Sequence, residues 1–281
     1  MESLINTWQH LPVQISPTIF SFGSFQLRYY SLMYIIAFAI VYFLTLYRIK
    51  NENYEYTAEN VQDYLVGALL GVIIGGRFGY ALFYNFAYYS HHPLEIILPF
   101  DFSHGFKFVG ISGMSYHGGL IGIVIVSILF CRKNEIKLWN FVDLFCPTIP
   151  LGYTFGRIGN FINGELYGRV TTVPWGMYFP LDSTRSLRHP SQLYEAPFEG
   201  IVLFLLLWLI RKKKRFDGFL IGIYICGYGF VRFFIEFFRE PDYQLGFVLS
   251  FMSMGQVLCL LMMMAGIIII VWRGQVATHS K

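Results

Sequence analysis

Apolar stretches of about twenty residues recur along this chain, and each ends abruptly in polar sequence. They lie at about 30–47, 64–86, 114–130, 141–158, 193–210, 219–238 and 251–272. Helices of about twenty apolar residues cross a bilayer core about 30 Å thick, and seven such stretches exceed what a soluble core of this size needs. Composition agrees, with 55% of residues hydrophobic and 14% charged, against roughly a quarter charged in a soluble domain. The sequence therefore predicts an all-α polytopic membrane protein, a single membrane domain over 1–281 with about seven transmembrane helices. Between the spans, residues 87–113 read as an outward-facing arm and 159–190 as a small outward-facing cap, punctuated by Pro174, Pro180 and Pro190. Residues 1–27 mix apolar side chains with Pro12 and Pro17 and suit a segment lying in the membrane interface.

Basic residues give the orientation, because Lys and Arg collect at the cytoplasmic ends of spans. Arg48 and Lys50 follow the first span, and Arg132, Lys133 and Lys137 the third. Arg211, Lys212, Lys213, Lys214 and Arg215 follow the fifth, and Arg273 and Lys281 the seventh. With seven spans these all fall on one side, which puts the N-terminus, arm and cap outside and the C-terminus inside. The net charge of +4 is small and no basic face of a soluble module is present, so no nucleic-acid partner is expected. Cys131, Cys146, Cys226 and Cys259 lie in or beside apolar segments without metal-ligand spacing and read as packing residues. The start, Met1-Glu2-Ser3-Leu4, lacks the basic region of a cleaved signal peptide.

Outside those clusters, eight of the nine remaining basic residues are arginine, the planar donor suited to phosphate and carboxylate. The densest polar run, residues 156–168, reads Gly-Arg-Ile-Gly-Asn-Phe-Ile-Asn-Gly-Glu-Leu-Tyr-Gly. It places Arg157, Asn160, Asn163 and Glu165 at a span end, a cation and amides that suit an anionic lipid headgroup. Arg77 and Arg232 sit inside apolar spans, where a charge is costly and is paired or functional. Glu236 follows Arg232 at helical pairing distance, as a structural ion pair or as part of a substrate site. His117, at the outward end of the third span, is a hydrogen-bonding residue or a proton acceptor, imidazole being the side chain that titrates near neutrality. Asp143 falls at the opposite face and is not placed to orient it. Arg188-His189-Pro190-Ser191-Gln192-Leu193-Tyr194-Glu195 closes the cap and starts the fifth span, with Pro190 and Ser191 as helix-start residues. His189 taken alone reads as a surface loop residue, and Tyr29 as part of an interfacial aromatic belt.

These motifs, in this order, resemble the bacterial phosphatidylglycerol:prolipoprotein diacylglyceryl transferase family. Residues 156–168 match every fixed position of the family pattern Gly-Arg-x-Gly-Asn-Phe-x-Asn-x-Glu-x-x-Gly. His117-Gly118-Gly119-Leu120, the Arg188 to Glu195 run, Tyr228-Gly229-Phe230-Val231-Arg232 through Glu236, and Arg239-Glu240-Pro241-Asp242 are similar as well. The resemblance implies a multi-pass enzyme of the bacterial inner membrane with a periplasmic N-terminus and site and a cytoplasmic C-terminus. Its partners are phosphatidylglycerol, the prolipoprotein signal peptide with its lipobox cysteine, and membrane lipid. Its reaction moves the diacylglyceryl group onto that thiol and releases glycerol phosphate. No cofactor and no metal are implied. The thiol must lose a proton from a pKa near 8.5, and charge building on the departing phosphate must be neutralised. By the resemblance His117 is the candidate general base, with an arginine-centred network as the alternative, and Arg157 and Arg232 face the phosphate. Tyr30, Asn160, Asn163, Glu165, Gly168, His189, Tyr228, Glu236 and Arg239 make up the candidate substrate-binding set. The cap is short, with nineteen residues between Gly168 and Arg188. Acyl chains must enter sideways, by the glycine-rich face of the second span or by gaps beside the fifth and sixth.

Two other readings compete. Gly110-Ile111-Ser112-Gly113 has the Gly-x-Ser-Gly form of an intramembrane serine protease, but spans five to seven hold no histidine to partner it. A carrier for an anionic solute would use intramembrane arginines, but no inverted repeat or pair of broken helices stands out.

Overall fold

In the computed structural model of this chain, residues 2–22, 25–98, 100–101, 107–108, 113–240 and 252–279 are described. The Gly110–Ser112 stretch, most of the 99–112 part of the expected arm, and Pro241–Asp242 lie outside the described residues. In chain order the elements are α1 (Glu2–Gln14), β1 (Thr18–Phe22), β2 (Phe25–Arg28), α2 (Tyr29–Asn51), α3 (Ala58–Phe83), α4 (Phe86–His91) and α5 (Leu94–Ile97). They continue as β3 (Phe100–Asp101), β4 (Lys107–Phe108), α6 (Tyr116–Lys133), α7 (Leu138–Phe145), α8 (Ile149–Ile162) and α9 (Ser191–Glu195). A π-helical segment (Ala196–Val202), α10 (Leu203–Ile210), α11 (Phe219–Ile235) and α12 (Met254–His279) complete the chain. Strands β1 and β2 form one antiparallel hairpin and β3 and β4 another.

Among the described residues five helical runs are long and apolar enough to cross a membrane, at Tyr29–Asn51, Ala58–Phe83, Tyr116–Lys133, Ser191–Lys213 and Met254–His279. The protein is therefore helical and multi-pass. The two remaining expected spans differ from the sequence reading. Helix α11 is apolar but has 17 residues. The stretch at 141–158 is broken into α7 and α8, and the break has a local cause. Pro147 has no N–H to give the Asp143 carbonyl four residues earlier, and the Thr148 N–H turns to the Phe145 carbonyl instead of Leu144. Arg48 fills both vacancies, its Nη1 donating to the carbonyls of Asp143 (2.8 Å) and Leu144 (2.5 Å).

The backbone divides into two compact units, Met1–Asn53 with Val142–Lys281 and Tyr54–Phe141. In the second unit α3 and α6 pack backbone to backbone. A Cβ on Gly75 would stand 2.3 Å from the Gly118 carbonyl oxygen, and one on Gly122 would stand 2.0 Å from that of Gly71. Small residues four apart permit this approach. The glycine face of the second span is thus filled by α6 and is not an opening for acyl chains. The intramembrane Arg77 is satisfied within this unit, with Nε on the Ile96 carbonyl (2.9 Å), Nη2 on that of Glu95 (2.5 Å) and its guanidinium over the Tyr89 ring.

In the first unit the N-terminal segment packs on the 159–190 stretch. Trp8 Nε1 donates to the Trp175 carbonyl (2.9 Å), and the Tyr178 N–H to that of Gln9 (2.8 Å). Beneath them Phe161, Met177 and Phe179 form a small core, with Leu11 and Ile15 packed on it. A polar latch joins this stretch to the end of the segment after α11. Arg188 donates from Nε and Nη2 to the two Asp182 carboxylate oxygens (2.8 and 3.0 Å) and from Nη1 to Glu240 (3.0 Å). Burial alone would raise the Asp182 pKa, but the Arg188 hydrogen bonds and those from Thr184 and Ser186 outweigh it and hold it at about 2.

Candidate active site

Two carboxylates sit one turn apart in the apolar Ser191–Lys213 run, Glu195 closing α9 and Glu199 in the π-helical segment. Pro197 lies inside that segment, where its missing N–H disturbs the regular ladder. Short π-helical turns are rare in helices and often mark functional sites. Both carboxylates are fully buried. An unpaired charge there would be prohibitively expensive, and the chain answers with arginines from two other helical regions.

Glu195 is the centre. Its Oε2 receives Arg157 Nε from α8 at 2.9 Å and Arg232 Nη1 from α11 at 3.4 Å, and its Oε1 receives Arg239 Nη1 at 2.7 Å. The Tyr153 hydroxyl donates to Glu199 Oε2, and the Arg157 guanidinium stacks over the Tyr153 ring at 4.6 Å. Arg232 Nη1 stands 3.5 Å from Glu199 Oε1 and its Nη2 3.2 Å from Glu236 Oε2, ion-pair contacts without hydrogen-bond alignment. Each of the three arginine side chains stays 17–18% exposed while Glu195 and Glu199 show nothing. The result is a buried anionic floor beneath a partly open cationic rim. Such a rim offers N–H donors in fixed positions, the arrangement that binds phosphate or carboxylate.

A model of the prolipoprotein diacylglyceryl transferase family matches residues 17–272. The chain belongs to this family. A phosphatidylglycerol–prolipoprotein diacylglyceryl transferase of Chlorobaculum tepidum is 58% identical over 274 residues, covering 97% of this chain and 95% of the relative. Relatives of the same name from Bordetella avium (45% identical, 92% of this chain, 94% of the relative) and Campylobacter hominis (44%, 92% and 91%) are also similar over nearly their whole length.

Of the residues singled out from the diacylglyceryl transferase motifs, most gather around this rim. Arg157, Arg232, Glu236 and Arg239 are in it. Asn160 extends it, its Oδ1 accepting from Arg157 Nη1 (3.2 Å) and its Nδ2 donating to Glu165 Oε1 (2.7 Å). Tyr30 lies against Gly159, where a Cβ would come within 3.3 Å of its ring, and shares a hydrogen bond with the Tyr34 hydroxyl (3.1 Å). Tyr228 stands edge-on to Tyr153. Asn163 caps α8 through its N–H to the Gly159 carbonyl. Gly168 meets the turn that follows α11 so closely that a Cβ would stand 2.2 Å from the Phe238 carbonyl oxygen. His189 is not a free surface residue. Its Nδ1 pairs with the Tyr194 hydroxyl (3.1 Å), its ring meets Phe238 edge-on, and burial holds its pKa below the usual value. His117 belongs to the other unit, where it is exposed in the first turn of α6 with its ring edge-on to Tyr116.

The sequence reading gave no role to Glu199 or Tyr153 and quoted Glu195 only within a motif. Two carboxylates four apart in an apolar stretch were the available signal, since intramembrane acids rarely occur without a partner.

Proposed function

We propose that this chain transfers the diacylglyceryl group of phosphatidylglycerol to the lipobox cysteine thiol of a prolipoprotein, releasing glycerol phosphate. One observation carries the reading: three arginines converge on a fully buried Glu195 and each keeps part of its side chain exposed. The carboxylates aim the arginines, and the remaining N–H groups are left for an anionic phosphate. In the reaction the thiolate sulfur attacks the glyceryl carbon, the C–S bond forms as the C–O bond breaks, and the electron pair leaves on the phosphate oxygen. Arg157 and Arg232 neutralise that oxygen as its charge grows, which is where fixed donors help most. His117 is the proposed acceptor of the thiol proton, supported by its family motif and its exposed ring.

Asn160, Asn163, Glu165 and Tyr30 supply amide, carboxylate and hydroxyl groups suited to the glycerol hydroxyls of the headgroup. Gly168, His189, Tyr228, Glu236 and Arg239 complete the substrate-binding set. Beside α9 and α11 an apolar groove of about 440 Å³, lined by Trp175, Tyr194, Phe198, Phe230, Phe234 and Phe238, supports a lateral seat for an acyl chain at the gap between the fifth and sixth spans. The proposed topology is seven spans in the bacterial inner membrane, with N-terminus, arm and cap periplasmic and C-terminus cytoplasmic. The basic residues after alternate spans support it. So does α11, whose 17 residues rise about 26 Å, close to the thickness of the hydrocarbon core.

The test is the purified protein in phosphatidylglycerol vesicles with a lipobox peptide, read as glycerol phosphate release and gain of peptide mass. Turnover that survives both Arg157→Ala and Arg232→Ala would remove the phosphate role from this cluster.

A further inference from the structure

Ser191 and Gln192 open α9 directly after Pro190, and both are fully buried. Their side chains reach back into the polar loop that leaves α8. Ser191 Oγ donates to the Leu166 carbonyl (2.9 Å), and Gln192 Nε2 to the Glu165 carbonyl (2.6 Å). The two carbonyls flank the backbone of Leu166, whose φ of 59° is left-handed. A leucine holds that conformation only where its surroundings enforce it. From this turn the Glu165 N–H returns to the Asn160 carbonyl (3.1 Å), and Glu165 Oε1 accepts from Asn160 Nδ2 (2.7 Å). Asn160 Oδ1 in turn accepts from Arg157 Nη1 (3.2 Å). A continuous line of hydrogen bonds thus joins the head of α9 to the arginine rim.

Gln192 carries a second sign of duty. Its Oε1 is buried and has no hydrogen-bond partner among the described residues. A buried acceptor left open is costly, and an apolar side chain of the same size would avoid the cost. The amide is worth that cost only for its donor.

We infer that Gln192, assisted by Ser191, is a positioning residue that clasps the Glu165–Leu166 turn and thereby aims the Asn160 amide and the Arg157 guanidinium. The inference rests on the proposed function of that rim. It acts in the transition state more than in binding, because Arg157 is needed most as charge develops on the departing phosphate.

Gln192→Met keeps the length of the side chain and removes both the donor and the orphaned acceptor. In the vesicle assay its kcat is expected to fall about tenfold or more, with KM for phosphatidylglycerol changed less. Its thermal unfolding midpoint is expected to move little, because losing the orphaned Gln192 Oε1 offsets leaving the Glu165 carbonyl without its donor, a separation that a purely structural role would not give. Combined with Glu165→Gln, the loss is expected to be no greater than that of the worse single variant, since both act along one line. Parental kcat in Gln192→Met, or losses that multiply in the double variant, would overturn the inference. If Gln192→Met lowers the midpoint, Ser191→Ala decides, because it removes a single oxygen. A reduced kcat at parental midpoint supports the clasp, and a parental kcat overturns it. Arg157→Ala and Arg232→Ala run alongside keep the two levels apart: if they abolish turnover while Gln192→Met does not reduce it, only the clasp fails.

Discussion

At Glu52 and at Glu195 the same unit of this protein buries a carboxylate among arginines, and the two networks are finished differently. Glu52 receives Arg48 through Nε and Nη2 (2.9 and 2.7 Å) and Arg211 through Nε (2.8 Å). Arg48 shows no surface at all, and its remaining donors go to the carbonyls freed by Pro147. The buried Arg48 donors are spent inside the protein, so this network is a staple between α2 and the α7–α8 break. At Glu195 three arginines share one carboxylate, several contacts are ion pairs without hydrogen bonds, and each arginine side chain stays partly exposed. In the first network the central arginine, Arg48, has no surface to offer a ligand. The second is an anion site already aimed.

The largest effect expected is Arg48→Ala. It leaves Glu52 with Arg211 alone and strands two carbonyls in the interior, a loss of about 3–5 kcal/mol for a broken buried pair, visible as a lowered unfolding midpoint. The activity of the molecules still folded should remain. Arg157→Ala should do the reverse, with turnover down about 10²–10³-fold, the scale for one fixed charge-stabilising donor, and a midpoint that moves little. If Arg48→Ala and Arg157→Ala lower activity and stability in the same proportion, the distinction between staple and site collapses.

A smaller effect sharpens the comparison. Glu199→Gln removes one negative charge beneath the rim and keeps its shape, so glycerol phosphate should inhibit more tightly, by roughly fivefold for ~1 kcal/mol. Glu52→Gln should leave that inhibition constant unchanged. Smallest is the cap latch. The folded pKa of Asp182, about 2, lies below the ordinary carboxylate value near 3.9. Its stabilisation is therefore complete above about pH 4 and is lost as pH falls toward 2. Amide exchange across residues 169–189 should accelerate over that window, and Asp182→Asn should flatten the dependence.

Much of this was legible in the sequence because it depends on local pattern. Apolar runs and their basic ends declare a membrane protein whatever the packing, since lipid admits little else. The run at 156–168, with Arg232 and Glu236, named most of the rim because those residue types are costly in an apolar setting and have few other uses. The same logic gave Arg48 to orientation and missed its burial, since a basic residue at a span end looks alike whether it meets water or a broken helix. The glycines of α3 showed that something would come close, but not that α6 would fill the space. Only the tertiary structure decided which arginines are sealed and which stay open, that Glu195 is their common partner, and that Gln192 reaches the Glu165 turn. Those facts depend on pairings between residues far apart in the chain, and on burial, which sets both the cost of a charge and the donors it has left.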